Sequence, residues 1–556
     1  MRFQACALAG VAVAAFCAST AGPIRFDEIT RTSGISFIAE NSPTPQKNQV
    51  ETMVAGVALF DYDQDGRLDV YFVNGAAIPS LAKESERYRN RLFHQNADGT
   101  FRDVTAQAGV AGTGYGMGVV VADYDNDGYP DFYVANVGGN QLFHNNRNGT
   151  FTDVAAKAGV AGAALDGKKM WSVGGGWFDY NRDGRLDLFV VNYCKWNVNQ
   201  DPYCSSAGGS RAYCNPRFYE PLHNTLYRNN GDATFTDVST ETGIAAHPGK
   251  GMSVSFADYD GDGWLDAFVA NDTTPNFLFH NLGGKRFEEV GIQAGVALNE
   301  NGQALSSMGS DFRDVNNDGR PDIWHTAVEL ETFPLFVNHG KGLFFDATTP
   351  SGIGRVTTSM SGWSNGIFDF DNDGWKDLFV ARSNVIDNIA EMHDGREYPE
   401  RNSVLRNRGD GLFEDVSAQA GEAFQIAAPH RGAAFGDLDN DGRIDAVVSV
   451  LGAPARVFRN VSGNGNHWIL LRLVGAKDNR MGLGAQVKIT AEDGRTQWNQ
   501  ATTAAGYACS SDSRVHFGLG GATRIRELEV LWPGGTRQVL RDVAADRIVT
   551  IEERAQ

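Results

Sequence analysis

A nine-residue acidic phrase occurs seven times in this chain, and no other feature restricts the fold as strongly. Its side chains at positions 1, 3, 5 and 9 are Asp61, Asp63, Asp65 and Asp69 in the first copy and Asp123, Asp125, Asp127 and Asp131 in the second. The next copies are Asp179, Asn181, Asp183 and Asp187, then Asp258, Asp260, Asp262 and Asp266, then Asp314, Asn316, Asp318 and Asp322. The last two are Asp369, Asp371, Asp373 and Asp377, and Asp437, Asp439, Asp441 and Asp445. Position 6 is always Gly, from Gly66 to Gly442. Four oxygen-bearing side chains in nine residues repel one another unless a divalent cation sits among them, and the glycine allows the backbone to turn a carbonyl inward. Oxygen ligands without His or Cys in the phrase favour Ca²⁺ over zinc or copper, and a flexible loop favours it over Mg²⁺. A single copy would read as a solvated Asp/Gly turn; seven in register predict up to seven Ca²⁺ sites.

The loop is not an EF-hand, because position 12 of the first copy is Phe72 where a bidentate Glu would be needed. Short apolar runs flank it, Val57 to Phe60 before and Val70 to Val73 after, which predicts a strand-loop-strand hairpin. The acidity of the chain follows: 26 of its Asp residues lie in these loops, and seven divalent cations would bring the formal charge of −19 to −5. Nucleic acid is therefore not an expected partner.

A second phrase alternates with the first. It reads Leu92-Phe93-His94-Gln95 with Phe101-Arg102-Asp103-Val104, and Leu142-Phe143-His144-Asn145 with Phe151-Thr152-Asp153-Val154. It returns at Leu226 to Asn229, Leu278 to Asn281, Leu335 to Asn338 and Leu405 to Asn407, each followed by a Phe-led run. Each repeat thus holds four strand-like runs, and successive loops start between 55 and 79 residues apart. The predicted fold class is all-β: a seven-bladed β-propeller followed by a small β-sandwich-like domain. After the seventh loop, Val457 to Asn460 has no Phe-x-Asp-Val partner, whereas Phe26-Asp27-Glu28-Ile29 precedes every loop. The N-terminal strand is expected to complete the last blade and remove the open sheet edges.

These loops resemble the FG-GAP (VCBS-type) repeats of the integrin α-subunit propeller. Beyond Gly465 the acidic phrase stops. Asn466 to Leu473, Asn479 to Ala485, His516 to Gly520 and Leu531-Trp532-Pro533-Gly534-Gly535 match the ASPIC/UnbV domain. With the insertion Tyr213 to Tyr219, the chain resembles the cartilage acidic protein family, in a bacterial-type member without the epidermal-growth-factor module of animal members. The resemblance implies an exported, Ca²⁺-binding protein competent for interaction. From the residues themselves, Ile469 to Leu473, Val487 to Thr490, Leu528 to Trp532 and Arg547 to Ile551 read as strands. The expected organisation is a signal peptide over 1–21, a propeller over 22–462 and the ASPIC/UnbV domain over 463–556.

The signal is read from Arg2, the apolar run Ala7 to Phe16 and the small-x-small pattern Ser19-Thr20-Ala21. Phe16 is too bulky to precede a lipidated Cys17. No later run has the length of a membrane span, so the expectation is a secreted or periplasmic protein. Four cysteines lie beyond the signal; Cys204 and Cys214, in one polar insertion, are the preferred disulfide, while Cys194 and Cys509 have no assigned role.

Candidate catalytic patterns are weak. Gly362-Trp363-Ser364-Asn365-Gly366 fits a nucleophile elbow, which requires strand, sharp turn and helix, yet it leads into the strand of the sixth loop. Arg408-Gly409-Asp410 spells an adhesion tripeptide at a position where sister repeats have hairpin turns. The repetition of His94, His144 and His280 argues for a structural part in each blade. The aromatic insertion from Cys194 to His223 fits either a recognition surface or a flap packed on its own blade. The leading function is a non-catalytic interaction module for a protein or glycan ligand. A glycan-active hydrolase or lyase using the central face and a structural envelope or matrix component are the alternatives.

Overall fold

The computed structural model describes residues 23–162, 170–206, 209–392, 395–463 and 465–554. The signal-peptide reading over 1–21 falls outside them. Seven four-stranded antiparallel sheets follow one another along the chain. In the first, Val57–Phe60, Asp69–Phe72, Arg91–Gln95 and Phe101–Asp103 run from the axis outward, with the acidic loop joining the first pair. The inner strands are nearly all buried, because a blade is covered on both faces by its neighbours; they are accordingly apolar or small-residue runs such as Tyr115–Ala122 and Ser172–Phe178.

Consecutive inner strands pack on one another, and the seventh, His430–Gly436, packs on the first, Val57–Phe60, so the ring is closed. The seventh sheet takes its outermost strand from the other end of the chain: Phe26–Glu28 pairs with Arg456–Asn460, Phe26 opposite Asn460. Apolar clusters fill the gaps between blades. Phe178 and Phe256, from the third and fourth inner strands, stack at 4.2 Å, and Phe26 packs edge-on against Phe370 at 5.6 Å.

The C-terminal strands form two sheets. His467–Val474 lies between Val515–Gly520, antiparallel, and Arg547–Glu552, parallel. Thr496–Gln500, Gln486–Ala491, Arg524–Leu531 and Arg537–Ala544 form the other sheet. Ile469, Leu471, Val487, Phe517, Leu528 and Trp532 share the core between them.

The segment joining Thr496–Gln500 to Val515–Gly520 leaves this sandwich and enters the axis of the propeller. Ser510 N donates to Val57 O and Leu59 N to Ser510 O, both at 3.0 Å; Val119 N donates to Ala508 O at 3.1 Å and Gly506 N to Ser310 O at 2.8 Å. Asp512 N reaches Phe435 O at 2.9 Å, and Tyr507 N donates to Ser364 Oγ at 3.0 Å. The inserted backbone comes so close to the inner strands that a Cβ on Gly432 would sit 2.6 Å from Cys509 Sγ, and one on Gly118 2.9 Å from Ala508. Cys509 thus lies buried in this plug, and burial drives its thiol up to about 12. Cys194 is also a buried free thiol, while Cys204 and Cys214 form a disulfide.

Candidate metal centres

Each acidic loop is built by two residues with left-handed backbone. Position 4 has φ of 60° at Gln64 and 58° at Asn126, and position 6 has φ of 86° at Gly66 and 93° at Gly128, which is why glycine is fixed there. The turn points the amides of positions 5 and 6 at the position 1 carboxylate: Asp65 N and Gly66 N donate to Asp61 Oδ1 and Oδ2, both at 3.0 Å. The same pair recurs at Asp123, Asp179, Asp314, Asp369 and Asp437. In the fourth loop, Gly261 and Gly263 donate to Asp258. Position 9 is anchored differently. Asp69 Oδ2 accepts from Tyr62 N and Oδ1 from Gln95 N, fixing the loop to the second and third strands. Asp131, Asp187, Asp322, Asp377 and Asp445 are held in the same way, as is Asp266.

Carboxylate oxygens of Asp61, Asp63 and Asp65 lie within 4.8 Å of one another, as do those of Asp123, Asp125 and Asp131. Asp63 Oδ1 is buried without a hydrogen-bond donor. The low-dielectric setting penalises charge: burial raises Asp123 to about 8, Asp131, Asp266 and Asp437 to about 7, and Asp69 and Asp179 to about 6. Convergent, incompletely compensated oxygens fit a hard divalent cation. Asp63, Asp127, Asp183, Asp260, Asp262, Asp318, Asp371, Asp373, Asp439 and Asp441 complete the acidic sets, with Asn181 and Asn316 as the two neutral members.

The third strand supplies what the acidic phrase alone did not reveal. One register position faces the loop. His94 Nδ1 stands 3.2 Å from Asp69 and 3.4 Å from Asp63; His144 Nδ1 stands 3.4 Å from both Asp131 and Asp125; His280 Nδ1 is 3.2 Å from Asp266. Hydrogen bonding to Asp266 raises His280 to about 9. In the sixth blade Arg406 contacts Asp371 at 2.8 Å and Asp373 at 2.7 Å, and in the seventh Arg459 lies 3.3 Å from Asp439. Where position 3 is Asn, the pairing lapses: beside Asn181, Arg228 turns to Glu241 at 3.7 Å, and beside Asn316 the equivalent residue is Val337. In the five blades where position 3 is Asp, the third-strand cation lies between 2.8 and 3.7 Å from that carboxylate; Asn181 and Asn316 have no charge to pair with.

The residue after that register position ties blades together. Asn145 Nδ2 donates to Tyr62 O in the preceding loop at 2.9 Å, Asn229 to Tyr124 O at 2.8 Å and Asn281 to Tyr180 O at 2.8 Å. Asn338, Asn407 and Asn460 reach Tyr259, Val315 and Phe370, and Gln95 closes the circuit on Leu438 O at 2.9 Å. Position 4 runs a second set of links forward, each to the position 6 carbonyl of the next loop: Asn126 to Gly184, Asn317 to Gly374, Asn372 to Gly442 and Asn440 to Gly66, between 2.8 and 3.1 Å.

The other sequence candidates are structural. Ser364 lies within the strand Gly362–Phe368, fully buried, its hydroxyl donating to Ala433 O and accepting from the plug, so no nucleophile elbow exists there. Arg408 and Asp410 pair with each other at 3.1 Å in a hairpin turn. In the insertion, Trp196, Tyr213 and Tyr219 are buried while Tyr203 and Phe218 are exposed.

Among curated proteins, cartilage acidic protein 1 of Mus musculus is 28% identical over 516 residues, covering 90% of this chain and 73% of that protein. Cartilage acidic protein 1 of Homo sapiens is 27% identical over 519 residues, covering 90% and 71%. Among solved structures, an Agrocybe aegerita lectin whose title describes recognition of non-reducing terminal N-acetylglucosamine aligns with a TM-score of 0.39 at 16% identity, over 66% of this chain and 81% of that one. A BBS1N chain in complex with ARL6DN aligns at 0.38 and 10%, over 79% and 97%. The ASPIC and UnbV description matches residues 475–556. The FG-GAP-like repeat description matches 61–134, 123–190, 213–269, 258–325 and 369–448, more than half of the chain. The chain therefore belongs to the FG-GAP-like repeat family, in the cartilage acidic protein-like arrangement that ends in an ASPIC and UnbV domain.

Proposed function

We propose that this protein is an exported, Ca²⁺-loaded propeller that serves as a non-catalytic interaction scaffold for a protein or glycan partner, with one cation in each acidic loop. The observation that carries the reading is the sevenfold recurrence of one oxygen cage whose carboxylates are raised by burial. Positions 1, 3, 5 and 9 of each loop would hold the ion, which supplies only charge and rigidity. The plug supports the non-catalytic part, because the acidic-loop end of the central channel is filled by the protein's own backbone. Export rests on the signal-like N-terminus, and among the described residues no helix is long and apolar enough to cross a membrane.

The test is thermal unfolding with Ca²⁺ and with chelator, joined to a count of bound calcium after dialysis. A ligand bound only by the folded state adds about 2.7 kcal/mol per site at a hundred times its Kd. Calcium should raise the midpoint by many degrees, with several ions per chain. An unchanged midpoint and no bound calcium would refute the assignment.

A further inference from the structure

At the end of the axial channel away from the acidic loops, where the inner strands begin, lies a cavity of about 330 Å³. Met53, Met252, Met308, Val328, Trp363 and Ile386 give it an apolar lining. The disulfide-linked insertion covers it, held down by Tyr213 Oη donating to Glu51 at 3.0 Å and by Gln49 N donating to Asp201 Oδ2 at 3.1 Å. The exposed Phe218 and its neighbour Arg217 form the rim.

Three buried oxygens on residues that line this space accept no hydrogen bond. Asp272 is 7% exposed and Gln49 2% exposed, and both line the cavity. Asp272 Oδ1 and Gln49 Oε1 are buried with no hydrogen-bond partner, as is Oδ1 of Asn388, which also lines the cavity. The other Asp272 oxygen accepts from Tyr193 Oη at 2.6 Å. Burial raises this carboxylate to about 6, against the opposing effects of the Tyr193 hydroxyl, the Lys250 charge acting through space and the Ser306 hydroxyl beside it. The nearby buried guanidinium of Arg431 is committed elsewhere: it stacks on Trp363 at 4.1 Å and donates to Thr52 O at 2.8 Å and His430 O at 2.9 Å. A buried carboxylate and amide oxygens left unsatisfied in a methionine-rich chamber are complementary to a ligand that brings its own N–H donors and positive charge. Unbranched thioether side chains adapt to a variable apolar body.

We propose that this cavity binds a small organic cation, a primary ammonium group on an apolar body, with the ammonium on Asp272 and Gln49. The site is separate from the acidic loops and independent of whether they hold calcium. Calorimetric titration of the full chain in calcium buffer tests it with three probes: 2-phenylethylamine, its neutral isostere 2-phenylethanol, and N-acetylglucosamine. The amine should bind with a Kd below about 1 mM and the alcohol about tenfold or more weaker, as expected when a charge-assisted hydrogen bond is lost. Asp272→Asn keeps the acceptor for Tyr193 and should weaken the amine about tenfold or more. Met252→Trp, which fills the chamber, should abolish binding and serves if the first variant does not fold. Equal binding of amine and alcohol, unchanged binding by either variant, binding of the sugar alone, or no binding by any probe overturns the proposal.

Discussion

Tyr507 is the tip of the plug, and its removal tests whether the C-terminal domain and the propeller are one cooperative unit. The ring is fully buried, packs 5.2 Å from Trp363, and its hydroxyl donates to Met53 O at 2.9 Å. Large-to-small truncation of a buried aromatic costs about 3 to 5 kcal/mol through lost burial and the cavity left behind. Removing only the hydroxyl leaves Met53 O unpaired and costs about 1 to 3 kcal/mol. Tyr507→Ala should therefore lose more than Tyr507→Phe. Urea unfolding in calcium, followed by tryptophan fluorescence, reads this directly because Trp363 is the neighbour. In the Ala variant the C-terminal sheets should also become cleavable by protease before the propeller, since the plug is their anchor in the ring. If Tyr507→Ala lies within about 0.5 kcal/mol of wild type, the range of an ordinary surface change, the plug is not a structural anchor and the coupling argument fails.

His325 gives a pH prediction. It is buried beside Phe268 and Phe336, and burial lowers it to about 4, against about 6.5 in the unfolded chain. Below pH 6.5 the unfolded state takes up a proton that the folded state refuses, so the stability contributed by this histidine is present above 6.5 and lost as pH falls towards 4. Compared with His325→Phe, wild type should lose about 2 kcal/mol more between pH 7 and pH 5 in urea unfolding; parallel profiles would refute the assignment of a neutral buried ring. Arg406 gives a metal-linked one. Because its guanidinium contacts both Asp371 and Asp373, Arg406→Val should lose about 1 to 3 kcal/mol in chelator and recover part of it in calcium; an equal loss in both buffers would show that the arginine does not share the loop's charge with a metal.

The hairpins around each acidic loop were legible because a two-sided blade demands apolar runs on both sides of a turn: Val57 to Phe60 and Val70 to Val73 could be read as strands before any contact was known. The Asn that ends the third-strand phrase repeats plainly, but its role as a staple to the preceding blade is a relation between residues 79 to 105 positions apart, as for Asn145 and Tyr62. The histidines are visible as a repeat, which argues for a structural part in each blade; their approach to Asp69, Asp131 and Asp266 is a matter of register between strands, which the repeat alone does not show. The plug was illegible for a physical reason. Ala504, Gly506, Ala508 and Ser510 are small residues without periodicity, and the plug's partners are inner strands of the blades, far away in sequence. Three C-terminal strands, Thr496–Gln500, Val515–Gly520 and Arg537–Ala544, carry no clear apolar run; the last has a mixed charged pattern and is mostly half-buried or exposed.

Closing the seventh sheet with the first strand sets a schedule for biogenesis. Arg25 N donates to Ser462 Oγ across 437 positions of sequence, so the strand at Phe26–Glu28 has no strand partner until Arg456–Asn460 has been made. At a synthesis rate of about 5 to 20 residues per second that wait is about 20 to 90 s, during which the nascent protein carries an incomplete ring with two bare strand edges. A holding chaperone that shields those edges until the last sheet forms is what such an architecture asks of the cell that makes it.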